Sequence, residues 1–91
     1  MKVIVNVHKP AGSIEDCRID WSAAIGNDTI SESEWTVPDG LSNEQDSHTD
    51  TTATIRLSDS SKVGETFILE NKVTLASGQV KVQSLQIKIV N

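Results

Sequence analysis

The chain is poor in aromatic residues. Its 91 residues include no tyrosine, two tryptophans (Trp21 and Trp35) and a single phenylalanine, Phe67. Platforms that stack sugars or peptides usually present several rings on one exposed face, so this scarcity argues against such a surface. The two tryptophans instead share the parity of apolar neighbours, Ile19 and Val37. We therefore expect them to lie on adjacent strands and to fill the space between two sheets.

Cysteine and long apolar runs are scarce as well. The single Cys17 excludes a disulfide within the chain and fits a reducing compartment. The opening MKVIVNVHKP alternates apolar and polar residues, which is not the pattern of a signal peptide. No run approaches the ~20 apolar residues of a membrane-spanning helix. The sequence therefore predicts no membrane partner.

Positive charge is missing from the middle of the chain. The net charge is −5, from 8 basic and 13 acidic residues. Residues 28–59 hold eight of the acids and one base, Arg56. Because carboxylates repel phosphates, this segment argues against nucleic acid or an anionic membrane as a partner.

What the chain does have is an alternation of apolar and polar residues in almost every segment. Such a period of two predicts strands with one buried face, separated by turns at roughly 8–12-residue intervals. The predicted inward residues include Val3, Val5, Val7, Cys17, Ile19, Trp21, Ser33, Trp35, Val37, Ala53, Ile55, Leu57, Phe67, Leu69, Asn71, Val73 and Leu75. Turns are expected at residues 10–13, 26–28, 38–40, 59–61 and 76–79.

Two segments depart from the simple alternation. Residues 41–50, LSNEQDSHTD, contain only Leu41 as a large apolar residue, so both an edge strand and an acidic loop remain open. In the last segment Val80 and Val82 have even numbers, whereas Leu85, Ile87 and Ile89 have odd ones. A change of parity inside one strand requires an extra residue, which predicts a β-bulge near Gln83 and Ser84.

No segment shows a sustained helical period with capping signals, so almost no helix is expected. Seven candidate strands predict an all-β chain, an immunoglobulin-like antiparallel β-sandwich of about seven strands. The length predicts that residues 1–91 form a single domain of this type.

The sequence offers little chemistry. His8 and His48 are isolated, and Asp46-Ser47-His48 places three triad residue types in one polar segment rather than on converging elements. The spacing of Cys17, His8 and His48 is not that of a zinc site. Residues 39–50 do not follow the residue order of a calcium-binding loop, but their side-chain oxygens are suitable calcium ligands, so a calcium site there stays an open alternative. Asn27-Asp28-Thr29 matches a glycosylation sequon but reads more simply as a turn. The sequence predicts no catalytic, cofactor-binding or metal-binding residue, no cofactor and no enzyme activity.

Five ordered motifs give the chain a resemblance to a family. They are IDWS (19–22), GNDTISESEWTVPDGL (26–41), TATIRLS (52–58), VGETFILENKVTLASG (63–78) and SLQIKIV (84–90). Together they resemble the bacteriophage fibre–tail adaptor proteins, over roughly residues 15–91. The chain departs from the family in Cys17, where a tyrosine-like residue is expected, in Phe67, and in the polar SNEQDSHTD. Residues 1–9 are more strand-like than expected, which suggests an added edge strand that pairs with a neighbour.

The resemblance implies a non-enzymatic virion structural protein, made in the cytoplasm of the bacterial host. It would dock with other virion proteins of the tail, fibre or capsid, with several copies in the particle. Its shared residues are core and turn positions, such as Trp35, Val37, Pro38, Gly40 and Leu41. Two alternatives stay open: a carbohydrate-binding sandwich, which needs an exposed Trp21 or Trp35, and an acidic regulatory or inhibitory protein that binds a basic partner.

Overall fold

The computed structural model describes residues 4–59 and 63–91. Seven strands run in chain order: β1 (Ile4–Pro10), β2 (Glu15–Asp20), β3 (Ile30–Thr36), β4 (Leu41–His48), β5 (Thr52–Asp59), β6 (Thr66–Leu75) and β7 (Val80–Val90). One four-residue helix, α1 (Ser22–Ile25), follows β2. The predicted positions of Val3 and of the turn residues Ser60 and Ser61 lie outside the described residues. The expectation of almost no helix is confirmed.

The strands form two packed sheets. Sheet A has the order β1-β7-β6-β3, and sheet B has the order β2-β5-β4. All neighbours are antiparallel except β1 and β7, which run parallel from Ile4 opposite Ser84 to Pro10 opposite Val90. The prediction of an all-β sandwich of seven strands is confirmed, and the parallel first strand is the one departure from an antiparallel arrangement among the described pairings.

The core consists of the inward residues of both sheets, as the alternation predicts. Cys17 and Ile19 of β2 lie opposite Ile55 and Ala53 of β5 in register. The buried apolar residues form two clusters that share Trp35 at their border: Cys17, Leu41, Ile55, Leu57, Leu69, Leu85, Ile87 and Ile89 in one, and Ile19, Trp21, Ile25, Ile30, Ala53, Val73 and Leu75 in the other.

The uncertain segment 41–50 contains a strand at the edge of sheet B. Of β4 only Leu41 is buried, because the strand lies at the border of the sheet and its other side chains extend beyond the core. Its pairing with β5 shifts register between Asn43 and Gln45, the position of a bulge. Strand β3, at the edge of sheet A, has a similar irregularity between Ile30 and Glu32.

The predicted bulge near Gln83 and Ser84 is wrong. The pairing of β6 with β7 keeps one register from Thr66 opposite Lys88 to Thr74 opposite Val80. Val80 and Val82 are 51% and 43% exposed, on the outer face of sheet A, whereas Leu85, Ile87 and Ile89 face the core. The parity changes because two valines are exposed rather than because the strand gains a residue, and exposed apolar residues are common on protein surfaces.

Candidate docking surfaces

The two indole rings lie between the sheets. Trp21, which directly follows β2, is 3% exposed, and Trp35 on β3 is partly buried against both clusters. Their strands belong to opposite sheets, so the expectation that they come from adjacent strands is wrong, because the chain crosses between sheets after α1. Neither ring forms a flat exposed platform, so the carbohydrate-binding alternative lacks the feature that it requires.

Asn71 is the polar centre of the core. It is 0% exposed, on the inward face of β6, and its Oδ1 accepts a hydrogen bond of 2.9 Å from the indole Nε1 of Trp21. Its Nδ2 donates to Ser33 Oγ at 3.0 Å and to the Glu34 carbonyl at 3.1 Å. The inward parity of Asn71 is visible in the sequence, but its partners are not, since they come from two other segments.

A buried ion pair holds β1 against sheet B. Lys9 Nζ lies 2.6 Å from Asp59 Oδ2, and both side chains are almost completely buried. Lys9 also donates to the Ser13 carbonyl, and the Gly12 amide donates to Asp59 Oδ1 at 3.0 Å. Sequence reasoning missed this pair; the only available signal was a lysine at an inward position of the first strand's alternation.

The residues Asp46, Ser47 and His48 do not form a triad. Ser47 lies opposite Thr54 on the outer face, while Asp46 and His48 take the other parity of β4. Asp46 Oδ2 accepts a bond from Asn43 Nδ2, and His48 Nδ1 lies 3.0 Å from the Thr49 carbonyl. This segment therefore shows no nucleophile bonded to a base.

The remaining candidate ligands are dispersed. Cys17 is buried, and burial raises the pKa of its thiol, so the residue is a poor nucleophile. His8 is exposed on β1 in sheet A, whereas Cys17 and His48 lie on strands of sheet B. Within residues 4–59 and 63–91, no group of three or more His, Cys, Asp or Glu residues is arranged to hold a metal ion. In the same residues, no helix has the length and apolar character needed to cross a membrane.

The sequon residues belong to a turn. Asp28 Oδ1 accepts the Thr29 amide at 2.9 Å, and Asp28 Oδ2 accepts the Ser77 hydroxyl. Both hydrogen bonds lower the pKa of the Asp28 carboxyl, and the bond from the Ser77 hydroxyl is the larger cause. The side chain therefore joins the loop before β3 to the turn between β6 and β7.

The edges of β3 and β4 form the acidic side of the sandwich. The two strands contact each other at the same side, and their carboxylates Glu32, Glu34, Glu44 and Asp46 are exposed. Ser58 Oγ donates to Glu44 Oε2 at 2.7 Å. This side carries much of the negative charge of residues 28–59, so it repels nucleic acid and favours a basic or neutral protein surface.

The outer face of sheet B carries a shallow hollow beside an ion pair. Arg56 binds Asp16 through Nε at 2.8 Å and through a second bond from Nη2 at 3.3 Å. The guanidinium lowers the pKa of the Asp16 carboxyl, and Asp16 raises the pKa of Arg56. Ile14, 62% exposed, lines the hollow together with Glu44. The hollow is open and polar, which suits contact with a surface better than capture of a small molecule.

The outer face of sheet A is mixed. Ile68 is 53% exposed and lies on the same face as Val80 and Val82. Next to β1, the residues Asn6, His8, Gln86 and Lys88 line a second shallow hollow on this face. Ile68 lies opposite Gln86, so sheet A offers two exposed valines near the start of β7 and a polar, basic hollow, with Ile68 beside it, near the end of that strand.

A comparison with sequence families identifies the class of protein that this sandwich represents. The Gp77 family, described as "Podophage GP4 fiber-tail adaptor protein gp77", matches residues 9–88. The chain belongs to this family of phage fibre–tail adaptor proteins. Most of β1 precedes the matched range. No curated protein matches the chain significantly.

Two solved structures share the fold at low sequence identity. A 2,6-sialyltransferase from Photobacterium sp. JT-ISH-224 superposes with a TM-score of 0.66 at 13% identity, covering 99% of this chain. The chain spans 18% of that enzyme's length. The cysteine protease inhibitor EhICP2 from Entamoeba histolytica superposes with a TM-score of 0.52 at 16% identity, covering 94% of this chain and 92% of the inhibitor. These likenesses concern the sandwich fold alone.

Proposed function

We propose that the chain is a non-enzymatic docking subunit of a tailed phage particle that joins a fibre to the tail. The observation that carries the proposal is the family match over residues 9–88. In this proposal residues 1–91 act as one rigid domain, made in the host cytoplasm and incorporated into the virion. Several copies are present in each particle, because virion parts are built by symmetry.

The surface supports protein partners rather than chemistry. The described hollows are shallow, and the exposed side chains around them are polar or charged with a few isolated apolar residues. Trp21 is buried in the core and Trp35 is partly buried against it, so the outer faces and strand edges remain for contact with fibre, tail or capsid proteins. The exposed acids of β3 and β4 favour a partner with a basic patch over DNA.

The proposal is tested with phage that lack the gene for this chain. We expect mass spectrometry of gradient-purified wild-type virions to detect the chain, and electron microscopy of the mutant to show tails without fibres. Expression of the chain in trans should restore fibres. Absence of the chain from intact virions, or normal fibres on mutant particles, would contradict the proposal.

A matched pair of variants tests the acidic side. In Glu32→Lys/Glu34→Lys two exposed acids of β3 are reversed, whereas Glu15→Lys/Glu65→Lys reverses two exposed acids outside β3 and β4. If the side formed by β3 and β4 meets a basic partner, complementation by the first variant should fail and that by the second should succeed. Equal complementation by both would place the contact on another surface.

A further inference from the structure

We propose that two copies of this chain pair through their β1 strands, so that sheet A continues from one copy into the other. This inference rests on the proposed function, in which several copies act together in the particle. It assigns the contact between those copies to β1 and names a second copy of the chain as the partner. It rests on a comparison of the four sheet edges, on the direction of the β1 backbone groups and on the charge along each edge.

Three of the four edges carry features that oppose the addition of a strand. Strands β3 and β4 each have a register irregularity together with exposed acids. Strand β2 has six residues, EDCRID, of which four are charged. Bulges, charges and short length are the means by which natural sheets avoid pairing at their edges. If two copies of the chain paired through any of these three edges, carboxylates of the two copies would also lie close together and repel each other.

The β1 edge has no bulge and no acid, and its one protective feature, Pro10, stands at the last residue of the strand, beyond Asn6 and His8. Its seven residues, IVNVHKP, contain no acid, and the pairing with β7 keeps one register throughout. The single charged side chain, that of Lys9, faces inward to Asp59 and does not reach the edge. A second copy of β1 would therefore meet an uncharged, regular strand, which makes this edge compatible with itself.

The backbone of β1 directs alternate groups toward that edge, where no other strand of residues 4–59 and 63–91 pairs with it. The Ala11 amide donates to the Val90 carbonyl, and the Ile89 amide donates to the Glu65 carbonyl on the other side of β7. Because alternate residues of a strand bond to opposite sides, Lys9 and Val7 bond to β7, whereas the amides of Asn6 and His8 point away from it. The same parity directs the backbone nitrogen of Pro10 away from β7. The absence of an N–H at that residue therefore removes no hydrogen bond to β7.

The expected contact is an antiparallel pair of β1 strands around a twofold axis. Such a contact is the same surface on both copies, as in most soluble dimers. One seven-residue strand buries less than the ~1,600 Å² of a standard interface, so we expect a weak dimer with a dissociation constant in roughly the micromolar range. Copies held side by side in a particle would pair more readily, since their effective concentration is high.

Sedimentation velocity and amide exchange on the purified chain test the pairing. We expect dimer to increase with concentration, and the amides of Asn6 and His8 to gain protection with it. The amides of Val7 and Lys9 are the internal control, because they bond to β7 in either state. A chain that stays monomeric at its highest soluble concentration, or a dimer without protection at Asn6 and His8, would overturn the proposal.

Charge variants test whether β1 meets β1. In Asn6→Lys/His8→Lys, lysines replace two exposed residues of the edge, and we expect at least tenfold weaker association. In the control Thr36→Lys/Thr66→Lys, the same charge is added to exposed positions on β3 and β6, and association should change less than twofold. Equal weakening by both variants would overturn the proposal.

A mixing experiment adds a result that a merely misfolded variant cannot produce. Asn6→Glu/His8→Glu copies should also be monomeric, yet an equimolar mixture with the Asn6→Lys/His8→Lys variant should form heterodimers. No heterodimer would overturn the pairing of β1 with β1. If the chain is found in virions but is monomeric in solution, the edge proposal fails alone. If it is absent from virions, the proposed function fails instead.

Discussion

The indole Nε1 of Trp21 and the side-chain oxygen of Asn71 are joined by a buried hydrogen bond of 2.9 Å that connects the two sheets. Trp21 follows the last residue of β2 in sheet B, and Asn71 lies in the middle of β6 in sheet A. The amide nitrogen of Asn71 then donates twice to β3, at Ser33 and Glu34. One polar side chain thus fixes the relative position of three strands within an apolar core.

We expect Asn71→Leu to lower the free energy of unfolding by about 2–4 kcal/mol. The substitution removes the bonds to Ser33 and Glu34 and leaves the Trp21 N–H without its partner in a buried site, where an unsatisfied group costs about 1–3 kcal/mol. Urea denaturation of the purified chain measures the change.

A double-mutant cycle with Trp21→Phe isolates the bond. The two single variants should together cost more than the double variant, because removing both partners leaves no unsatisfied donor at the indole. Additive losses would show that the bond contributes nothing beyond the packing of the two side chains.

The sequence predicts this fold well where burial follows parity. Cys17, Ile19, Ala53 and Ile55 alternate with polar residues, and each is buried as the pattern requires. The same rule fails for Val80 and Val82, since apolar character allows burial but does not enforce it. The predicted bulge took the change of parity between Val82 and Leu85 as the sign of an inserted residue, whereas Val80 and Val82 lie on the outer face.

The alternation of apolar and polar residues does not predict which residues contact each other in the folded chain. Lys9 is buried only because Asp59, fifty residues further along the chain, comes to lie beneath the turn after β1. Lys9 shares the inward parity of Val5 and Val7, but a lysine without a partner is almost never fully buried, so parity alone does not place it inside. The docking edges share this difficulty, because strand order rather than local sequence decides which strand lies at a border.

Gly40→Ala should be more destabilising than Gly78→Ala. Both glycines have a positive φ, +103° and +94°, which costs an alanine about 1–2 kcal/mol. At Gly40 a Cβ would lie 2.6 Å from Cε1 of Phe67, whereas at Gly78 it would meet nothing within 4 Å. We therefore expect an additional loss of about 1–3 kcal/mol at Gly40, measured by thermal and urea unfolding.

Phe67→Leu tests the cause of that difference. If the ring is the obstacle, Gly40→Ala should cost less in the Phe67→Leu background than in the wild-type chain, since the shorter side chain leaves room for the Cβ. An unchanged cost would attribute the effect to the backbone of the turn instead of to contact with Phe67.

Lys9→Met should destabilise the chain by about 3–5 kcal/mol, because it removes one member of a buried ion pair and leaves the carboxylate of Asp59 in a buried site. The double variant Lys9→Met/Asp59→Leu removes both charges and should recover a substantial part of that loss. Arg18→Met, at an exposed position of β2, controls for removal of a positive charge. A Lys9→Met variant as stable as Arg18→Met would contradict a structural role for the pair.

Acid should weaken the fold through three aspartates. Hydrogen bonds lower the carboxyl pKa values of Asp16, through Arg56, of Asp20, through the Ser22 amide, and of Asp28, through Ser77. A carboxyl whose pKa is lower in the folded state stabilises that state fully above its unfolded pKa, ~3.9 for aspartate, and loses this contribution as pH falls through the folded pKa. Unfolding free energy should therefore be flat from about pH 5 to 7 and fall below about pH 4.

Ser77→Ala separates the contribution of Asp28 from the others. Without the hydroxyl, the largest cause of the lowered pKa is gone, so the folded pKa of Asp28 should rise and the variant should be less stable than wild type at neutral pH. The gap should close as pH falls through the folded pKa of wild-type Asp28, since both chains then carry a protonated carboxyl. Urea denaturation across a pH series, with a carbon-detected titration of Asp28, measures both quantities. A gap that is constant with pH would mean that the hydroxyl stabilises the turn without any linkage to the charge of Asp28.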